Sequence, residues 1–208
     1  MLKQEVIMII EMKSLDTKKV HELFINALSP LPVTLISTVG ADGVYNAAPF
    51  SAVCPISWEP PLLCVSIASK NGIRKDTAQN IVDSGDFVIN IMSEDYVKPI
   101  LTTSAAYPSN ENEIEKAGLT SSPASKVKAP LIKEAQVNLE CSLYREIEIG
   151  EGETIRWVYF GEVLLMHIRD EIMTAGKIDP IKLRTVGYLG ISYLGKRLFC
   201  RTKDIVKL

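Results

Sequence analysis

The stretch of residues 32–68 constrains the fold most, because it repeats short runs of strand-forming residues separated by turn signals. Its first run, 33–39, is rich in β-branched residues and ends at a Gly-Ala-Asp-Gly segment, whose Asp-Gly pair favours a tight hairpin. The chain returns over 44–51, turns again at 58–61 and continues as a third apolar run over 62–68. The stretch therefore predicts three short antiparallel strands.

The middle run, 44–51, has an unusual composition for a strand. It contains Ala47, Ala48 and Pro49 at positions where bulkier residues would pack better. Because proline has no backbone N–H to donate, Pro49 indicates a sheet edge or a bulge. Small side chains also leave room for a flat molecule to approach the backbone, so this run is a candidate binding site.

Patterns elsewhere in the chain predict a mainly β fold. Further strands are expected at 86–92, 135–148, 154–168 and within 186–208. A helix capped by Ser14 or Asp16 is expected to run to residue 28, and further helices are expected at 74–84, 94–103 and 113–117. About seven or eight strands with hairpin spacing favour a β-barrel or sandwich with flanking helices, as a single domain over 1–208. Residues 93–130 are interpreted as a helical and loop insertion, because they lack the apolar residues for a core of their own.

Composition and charge limit the possible partners and the compartment. The chain has 47% hydrophobic residues and a net charge of −2, which gives material for a core but no basic field for nucleic acid. The apolar patch within residues 1–11 is too short to span a membrane, has no signal-peptide pattern, and is expected to form a strand or an ordered arm. The four cysteines show no C-x-x-C spacing and are predicted to be buried thiols in a reducing cytoplasm. His21 and His167 lie far apart, so no metal site is predicted.

Several signatures of catalysis by protein side chains are absent. The sequence has no G-x-G-x-x-G motif after a strand, no P-loop and no G-x-S-x-G nucleophile elbow. With only two histidines, a hydrolytic triad is also disfavoured. A bound cofactor is therefore the favoured source of any chemistry.

The loop over 69–77 has the features of an anion site. It combines the flexible Gly72, the cations Arg74 and Lys75 and the hydroxyl of Thr77 at the predicted start of a helix, where backbone N–H groups and the helix dipole favour a phosphate. Alone, this pattern is more often typical of a solvated surface. Beside the small-residue strand it predicts bound flavin mononucleotide (FMN), with the ring on 46–51 and the phosphate near 66–77.

At this point the sequence resembles a known family, the flavin reductase-like proteins with an FMN-binding split β-barrel of Greek-key type. The resemblance covers residues 29–193 and preserves the order and spacing of the family's motifs. The matching segments are NAAPFS (46–51), PISWEPP (55–61), DTAQNI (76–81), FVIN (87–90), EKAGL (115–119), KAPLIKEA (128–135) and LEC (139–141).

The resemblance implies a set of cofactor-binding residues. The flavin ring would lie against a run of the second strand: Asn46, Ala47, Ala48, Pro49, Phe50 and Ser51. Ser66 and Ile67 would face the ring or the ribityl chain, and Arg74, Lys75 and Thr77 would contact the phosphate.

Two further residues have open interpretations. His167 resembles a histidine near the nicotinamide side in some relatives and is the candidate catalytic residue, with a barrel-rim histidine as the alternative. Tyr193 is a candidate for closing the pocket, although ordinary packing is the more common role for such a residue.

The resemblance also implies an activity and an assembly. It predicts a homodimeric NAD(P)H-dependent flavin reductase that passes electrons to free flavin, ferric iron or a partner oxygenase. The alternative is a non-catalytic FMN carrier or electron-transfer protein; an oxidase of the pyridoxamine-phosphate type fits the strand motif poorly. Many relatives have an arginine where this chain has Leu31, and this departure affects the expected nicotinamide binding more than the expected FMN binding.

Overall fold

The computed structural model describes residues 7–192 and 195–201. Its strands are β1 Leu31–Pro32, β2 Thr34–Val39, β3 Tyr45–Phe50, β4 Val53–Trp58, β5 Pro61–Ala68, β6 Asp86–Ile91, β7 Ser121–Ser122, β8 Leu131–Ile132, β9 Val137–Ile149, β10 Arg156–Ile168, β11 Met173–Thr174, β12 Lys177–Ile178, β13 Val186–Ile191 and β14 Arg197–Arg201. Its α-helices are α1 Thr17–Leu28, α2 Asp76–Ser84, α3 Val97–Thr102, α4 Glu113–Lys116 and α5 Pro180–Leu183. Single 3₁₀ turns occupy Met12–Ser14, Glu94–Tyr96, Gly152–Thr154 and Asp170–Ile172.

A seven-stranded antiparallel sheet dominates the molecule. Its strand order is β3-β2-β6-β9-β10-β5-β4, so strands that are neighbours in space are often distant in the chain, as in Greek-key topologies. The strands predicted at 33–39, 44–51, 62–68, 86–92, 135–148 and 154–168 are all present in this sheet. The prediction of a mainly β fold with flanking helices is therefore confirmed.

One strand of this sheet is absent from the sequence prediction. The stretch 32–68 contains β4 between the second and third predicted strands, so the prediction of only three strands there is wrong. Pro55 and the following Pro60-Pro61 turn argue against a strand in the sequence, because proline is unfavourable in strand interiors. The sheet tolerates Pro55 because β4 is an edge strand, where a missing N–H costs little.

The two edge strands of the sheet, β3 and β4, follow each other directly in the chain. The edge position of β3 confirms what Pro49 indicates in the sequence. Only Ser51 and Ala52 connect β3 to β4, and the amide of Ser66 on β5 donates to the carbonyl of Ala52 at 3.0 Å. The small-residue strand and β5 therefore approach each other at this corner of the sheet.

Two hydrophobic clusters stabilise the fold. The first lies between the sheet and α2 and contains fully buried side chains such as Ile36, Ile81 and Tyr159. The second joins the insertion to β2 and β3, because Ile100 and Ile114 pack in the same cluster as residues of those strands. The insertion thus completes the core of the sheet, as expected for a segment without a core of its own.

Buried carboxylates fix the returning part of the insertion on the sheet. Asp86 on β6 accepts hydrogen bonds from the amides of Lys128 and Ala129, both at 3.1 Å. Glu140 on β9 accepts from the amides of Ser125 and Lys126 at 2.9 and 2.6 Å. These bonds satisfy backbone donors of an irregular segment that no strand pairs.

A small sheet and a helix lie beside the main sheet. Strands β1, β13 and β14 form this sheet, and α1 packs on β13. Asp16 caps α1 by accepting from the amide of Lys19 at 2.8 Å, as the sequence predicts. The Asn26 side chain then joins α1 to β13 through both backbone groups of Ile191.

Some sequence expectations are corrected or lie outside the described ranges. Residues 7–11 form no strand and Ile9 is exposed, while residues 1–6 lie outside the described part, as does Tyr193. Cys54 is exposed on the edge strand β4, so the expectation that it is buried is wrong; Cys64 and Cys200 are partly buried, and Cys141 is buried as expected. Among the described residues, no helix has both the length and the apolar character needed to cross a bilayer.

Candidate functional site

A cavity of about 950 Å³ opens at the corner where β3 and β5 meet. Its walls come from these two strands, the 69–75 loop, the start of α2, the insertion, α1 and the small sheet. A volume of this size lies at the upper end of the range for small-molecule sites. The cavity therefore offers room for a large ligand.

Most of the predicted cofactor-binding residues line this cavity. Those that do are Asn46, Ala48, Pro49, Phe50, Ser51, Ser66, Arg74, Lys75 and Thr77. The small-residue strand and the 69–77 loop, which are separate in the sequence, thus meet at one cavity.

Ala47 and Ile67 are two predicted site residues that do not line the cavity. Both are fully buried, Ala47 in the insertion cluster and Ile67 in the cluster beneath the sheet. Successive side chains of a strand point to opposite faces, so their neighbours Ala48 and Ser66 face the cavity instead. The side chains of Ala47 and Ile67 therefore do not face the cavity, and a flavin contact through their backbone groups stays a prediction.

His167 is the third predicted residue that the structure keeps away from the cavity lining. It lies eleven residues from Arg156, near the opposite end of β10. Its Nε2 is 2.6 Å from Oε1 of the fully buried Glu140. Burial alone would raise the pKa of Glu140, but hydrogen bonds from His167, Ser125 and Lys126 lower it below its ordinary value. His167 thus belongs to the group that fixes the insertion.

Arg74 lines the cavity but is already engaged within the protein. Its guanidinium makes two hydrogen bonds of 2.6 Å to the carboxylate of Glu146, donates to the Tyr159 hydroxyl, and lies 4.5 Å from the centre of the Trp157 ring. Glu146 raises the pKa of Arg74 further. The side chain is only 22% exposed and its guanidinium is already paired with Glu146, so the phosphate contact expected of Arg74 stays a prediction. Its geometry is that of a partly buried bidentate ion pair.

Three other cations are better placed to receive an anion. Lys70, Lys75 and Arg156 all line the cavity, and none makes an ion pair with any residue of the described ranges. Burial lowers the pKa of Lys75, and the positive charges of Arg156 and Lys70 lower it further. Arg156 is oriented by a hydrogen bond from its Nε to the Ser66 hydroxyl at 3.2 Å. An anion bound among these side chains would relieve their mutual repulsion.

The N-terminus of α2 adds backbone donors to this cationic group. Lys75 is its N-cap residue and makes no capping hydrogen bond through its side chain. The first N–H groups of a helix have no partner within the helix and favour an anion. The hydroxyl of Thr77 is not available in the same way, because it donates to Oδ1 of Asn46 at 2.9 Å.

Glu113 is a lining residue that is missing from the sequence prediction. It opens the short helix α4 of the insertion and is 7% exposed. Its Oε2 accepts from the Ala47 amide at 2.7 Å and from Nδ2 of Asn46. Burial, with a smaller contribution from the negative charge of Asp76, raises the pKa of Glu113 to about 7 despite the hydrogen bond from Ala47.

The comparisons with known proteins agree on one protein family. The model of the flavin reductase like domain matches residues 27–181. An uncharacterized protein of Aquifex aeolicus (strain VF5) is 37% identical over 186 residues, which cover 88% of this chain and 93% of that protein. Nitrilotriacetate monooxygenase component B from Bacillus cereus superposes with a TM-score of 0.92 at 30% identity, over 99% of this chain and 100% of that structure.

A further structural relative identifies the architecture. A split-barrel protein of Shewanella frigidimarina NCIMB 400 superposes with a TM-score of 0.76 at 26% identity, over 95% of this chain and 94% of that structure. The family match extends over most of the main sheet, the insertion and the residues that line the cavity. The chain therefore belongs to the flavin reductase-like family and has the split β-barrel fold of its structural relatives.

Proposed function

We propose that this protein binds FMN in the cavity and reduces it with NADH or NADPH. The observation that carries the proposal is the meeting of a cationic group without ion pairs in the described ranges and an edge strand of small residues in the walls of one cavity. This arrangement suits a molecule that is flat at one end and carries a phosphate at the other. Membership of the flavin reductase-like family supports the same ligand.

The residues present fit both parts of FMN. Ala48, Pro49 and Ser51 bring small side chains to a wall that Phe50 also lines, and β3 has no partner strand on its outer side among the described residues. Backbone groups at such an edge can bond the polar rim of a ring. Lys70, Lys75 and Arg156, together with the start of α2, would hold the phosphate.

When bound, FMN would supply an acceptor, its N5, for the hydride on C4 of the nicotinamide. The electrons would then pass to free flavin, ferric iron or a partner oxygenase. The chain's own contribution is to orient the two rings and to exclude water. Room for a second ring lies toward the insertion and toward Tyr188 and Phe199 of the small sheet. Leu31 pairs with Tyr188 on β13 and brings no charge to this side, so nicotinamide binding must rely on other groups.

A homodimer is the assembly that we propose. Arg156 and Ser66 share one sheet face with Val158, and the adjacent Ile147 and Ile149 on β9 extend this face. Ile147 and Ile149 are about half exposed. An apolar surface that continues from a ligand cavity is typical of an interface. A second copy over this face would also narrow the cavity mouth.

Sedimentation velocity of the protein with FMN, recorded at the protein and flavin absorption bands, tests binding and assembly together. We expect flavin absorbance to sediment with a species that has the mass of two chains. If no flavin absorbance sediments with the protein, even when flavin is in excess over the protein, FMN binding would be contradicted. Flavin that sediments with a single chain would contradict only the dimer.

A further inference from the structure

A single carboxylate joins the insertion to the strand that carries the candidate flavin site. Oε2 of Glu113 accepts from the Ala47 amide at 2.7 Å and from the Asn46 side chain, and the residue is almost completely buried. Glu113 also lines the cavity. Since Ala48 follows directly in β3, the position of the cavity wall depends on this contact.

The same contact extends by hydrogen bonds to α2. Oδ1 of Asn46 accepts from Thr77 at 2.9 Å and from Thr38 at 3.2 Å, and Asn80 donates to the Thr38 hydroxyl at 3.0 Å. Glu113 is thus the terminal acceptor of a polar group that links α4, β3, β2 and the start of α2. A change in its charge acts directly on the elements that form two walls of the cavity.

The charged groups around Glu113 influence the pH at which it takes up a proton. Asp76 at the start of α2 acts on it with a negative charge, and β3 brings Tyr45 as its one titratable side chain. On its own element, Lys116 pairs with Glu111 at 3.0 Å and Glu115 bonds Asn112. The other charged or titratable groups that line the cavity are His21, Lys70, Arg74, Lys75, Tyr107, Glu153, Arg156, Tyr188 and Arg197. With a pKa of about 7, both forms of Glu113 are populated at neutral pH.

We propose that Glu113 is a positioning residue whose protonation state sets how tightly the cavity holds flavin, an inference that rests on the proposed flavin-binding function. A ring that covers the cavity wall removes water from Glu113, and burial disfavours the ionised carboxylate. Flavin binding and protonation of Glu113 therefore favour each other, and affinity falls as pH rises through the titration of Glu113.

Riboflavin is the probe that isolates this effect, because it lacks the ionisable phosphate of FMN. For the wild-type protein we expect the Kd for riboflavin to rise about three- to tenfold between about pH 6 and about pH 8.5. Glu113→Gln keeps an oxygen that accepts from Ala47 but cannot ionise, so its Kd should stay nearly constant over this range. Glu113→Ala removes the acceptor and should weaken binding at every pH, which separates the hydrogen bond from the charge.

The riboflavin titrations distinguish failure of this inference from failure of the flavin site. A flat profile for the wild-type protein, or an equal slope in Glu113→Gln, would overturn the role of Glu113 and leave the flavin site intact. Failure of the wild-type protein to bind FMN or riboflavin at any pH would overturn the proposed function, and the role of Glu113 with it.

A second readout needs no flavin. Because the pKa of Glu113 is higher in the folded protein than in the unfolded chain, the folded state binds more protons between about pH 4.5 and about pH 7. Folding stability conferred by the protonated form is therefore lost as pH rises through this window. The melting temperature of the wild-type protein should fall relative to that of Glu113→Gln over the same window, and parallel curves would contradict the titration of Glu113.

Discussion

Replacing Lys75 and Arg156 together with alanine is expected to weaken FMN binding by about 30- to 1,000-fold while leaving riboflavin binding nearly unchanged. Two charge-assisted contacts to a phosphate are worth about 2–4 kcal/mol in total, which gives this range of affinities. Both side chains line the cavity and make no ion pair within the described residues, so their loss leaves no buried charge without its partner. Fluorescence titration with the two flavins measures the effect.

The matched control for this pair is Lys133→Ala with Lys177→Ala. It changes the net charge equally, and neither residue lines the cavity. The control should bind FMN like the wild-type protein. An equal loss of FMN affinity in both double variants would mean that net charge, and not a contact with the phosphate, explains the effect. A loss of riboflavin affinity as large as that of FMN affinity in the Lys75 and Arg156 variant would contradict a phosphate contact.

Glu140→Ala is expected to lower the free energy of unfolding by about 3–6 kcal/mol, because two backbone amides lose a charged acceptor, at about 1.5–3 kcal/mol each. Glu140 is fully buried on β9 and accepts from the amides of Ser125 and Lys126 as well as from His167. Its removal leaves two backbone donors of the insertion without a partner. Urea denaturation measures the change through the midpoint at constant slope.

His167→Ala is the control that tests the role of the histidine at the same site. His167 is about one-third exposed, and the amides of Ser125 and Lys126 keep Glu140 bonded without it. We expect a smaller loss of stability, about 1 kcal/mol, and unchanged flavin affinity. A large loss of flavin reduction with normal stability in His167→Ala would restore the catalytic role suggested by the sequence.

Local signals predicted most of the secondary structure. Asp16 caps α1 and Gly85 closes α2 in a left-handed conformation, as their residue types indicate. The strands of the main sheet follow from their β-branched and apolar runs. The unpredicted strand β4 has Pro55 in its middle, and only the position of β4 at the sheet edge explains why it forms.

The strand part of the candidate site was largely predictable from the sequence. Asn46, Ala48 and Ser66 line the cavity as expected. The side chains of Ala47 and Ile67 are buried away from it. Strand alternation alone does not separate these residues from the others, because Pro49 shares the parity of Ala47 on β3 and yet lines the cavity.

The charged part of the site depends on contacts between distant segments. Glu113 meets Asn46 over 67 residues of chain, Arg156 meets Ser66 over 90, and Arg74 finds Glu146 over 72. No local pattern marks a helix-opening glutamate as buried or an arginine as already paired. Strand register and the folding of the insertion decide these roles, and a single sequence does not reveal them.

Flavin reduction is tested most directly by an anaerobic absorbance titration of the protein with FMN, followed by NADH and then by NADPH. We expect FMN to bind and its visible absorption band to bleach at a catalytic rate with at least one of the two nucleotides. Flavin that binds but stays oxidised with both nucleotides would contradict the reductase function and favour the carrier alternative. An FMN spectrum unchanged by the protein would contradict the flavin site itself.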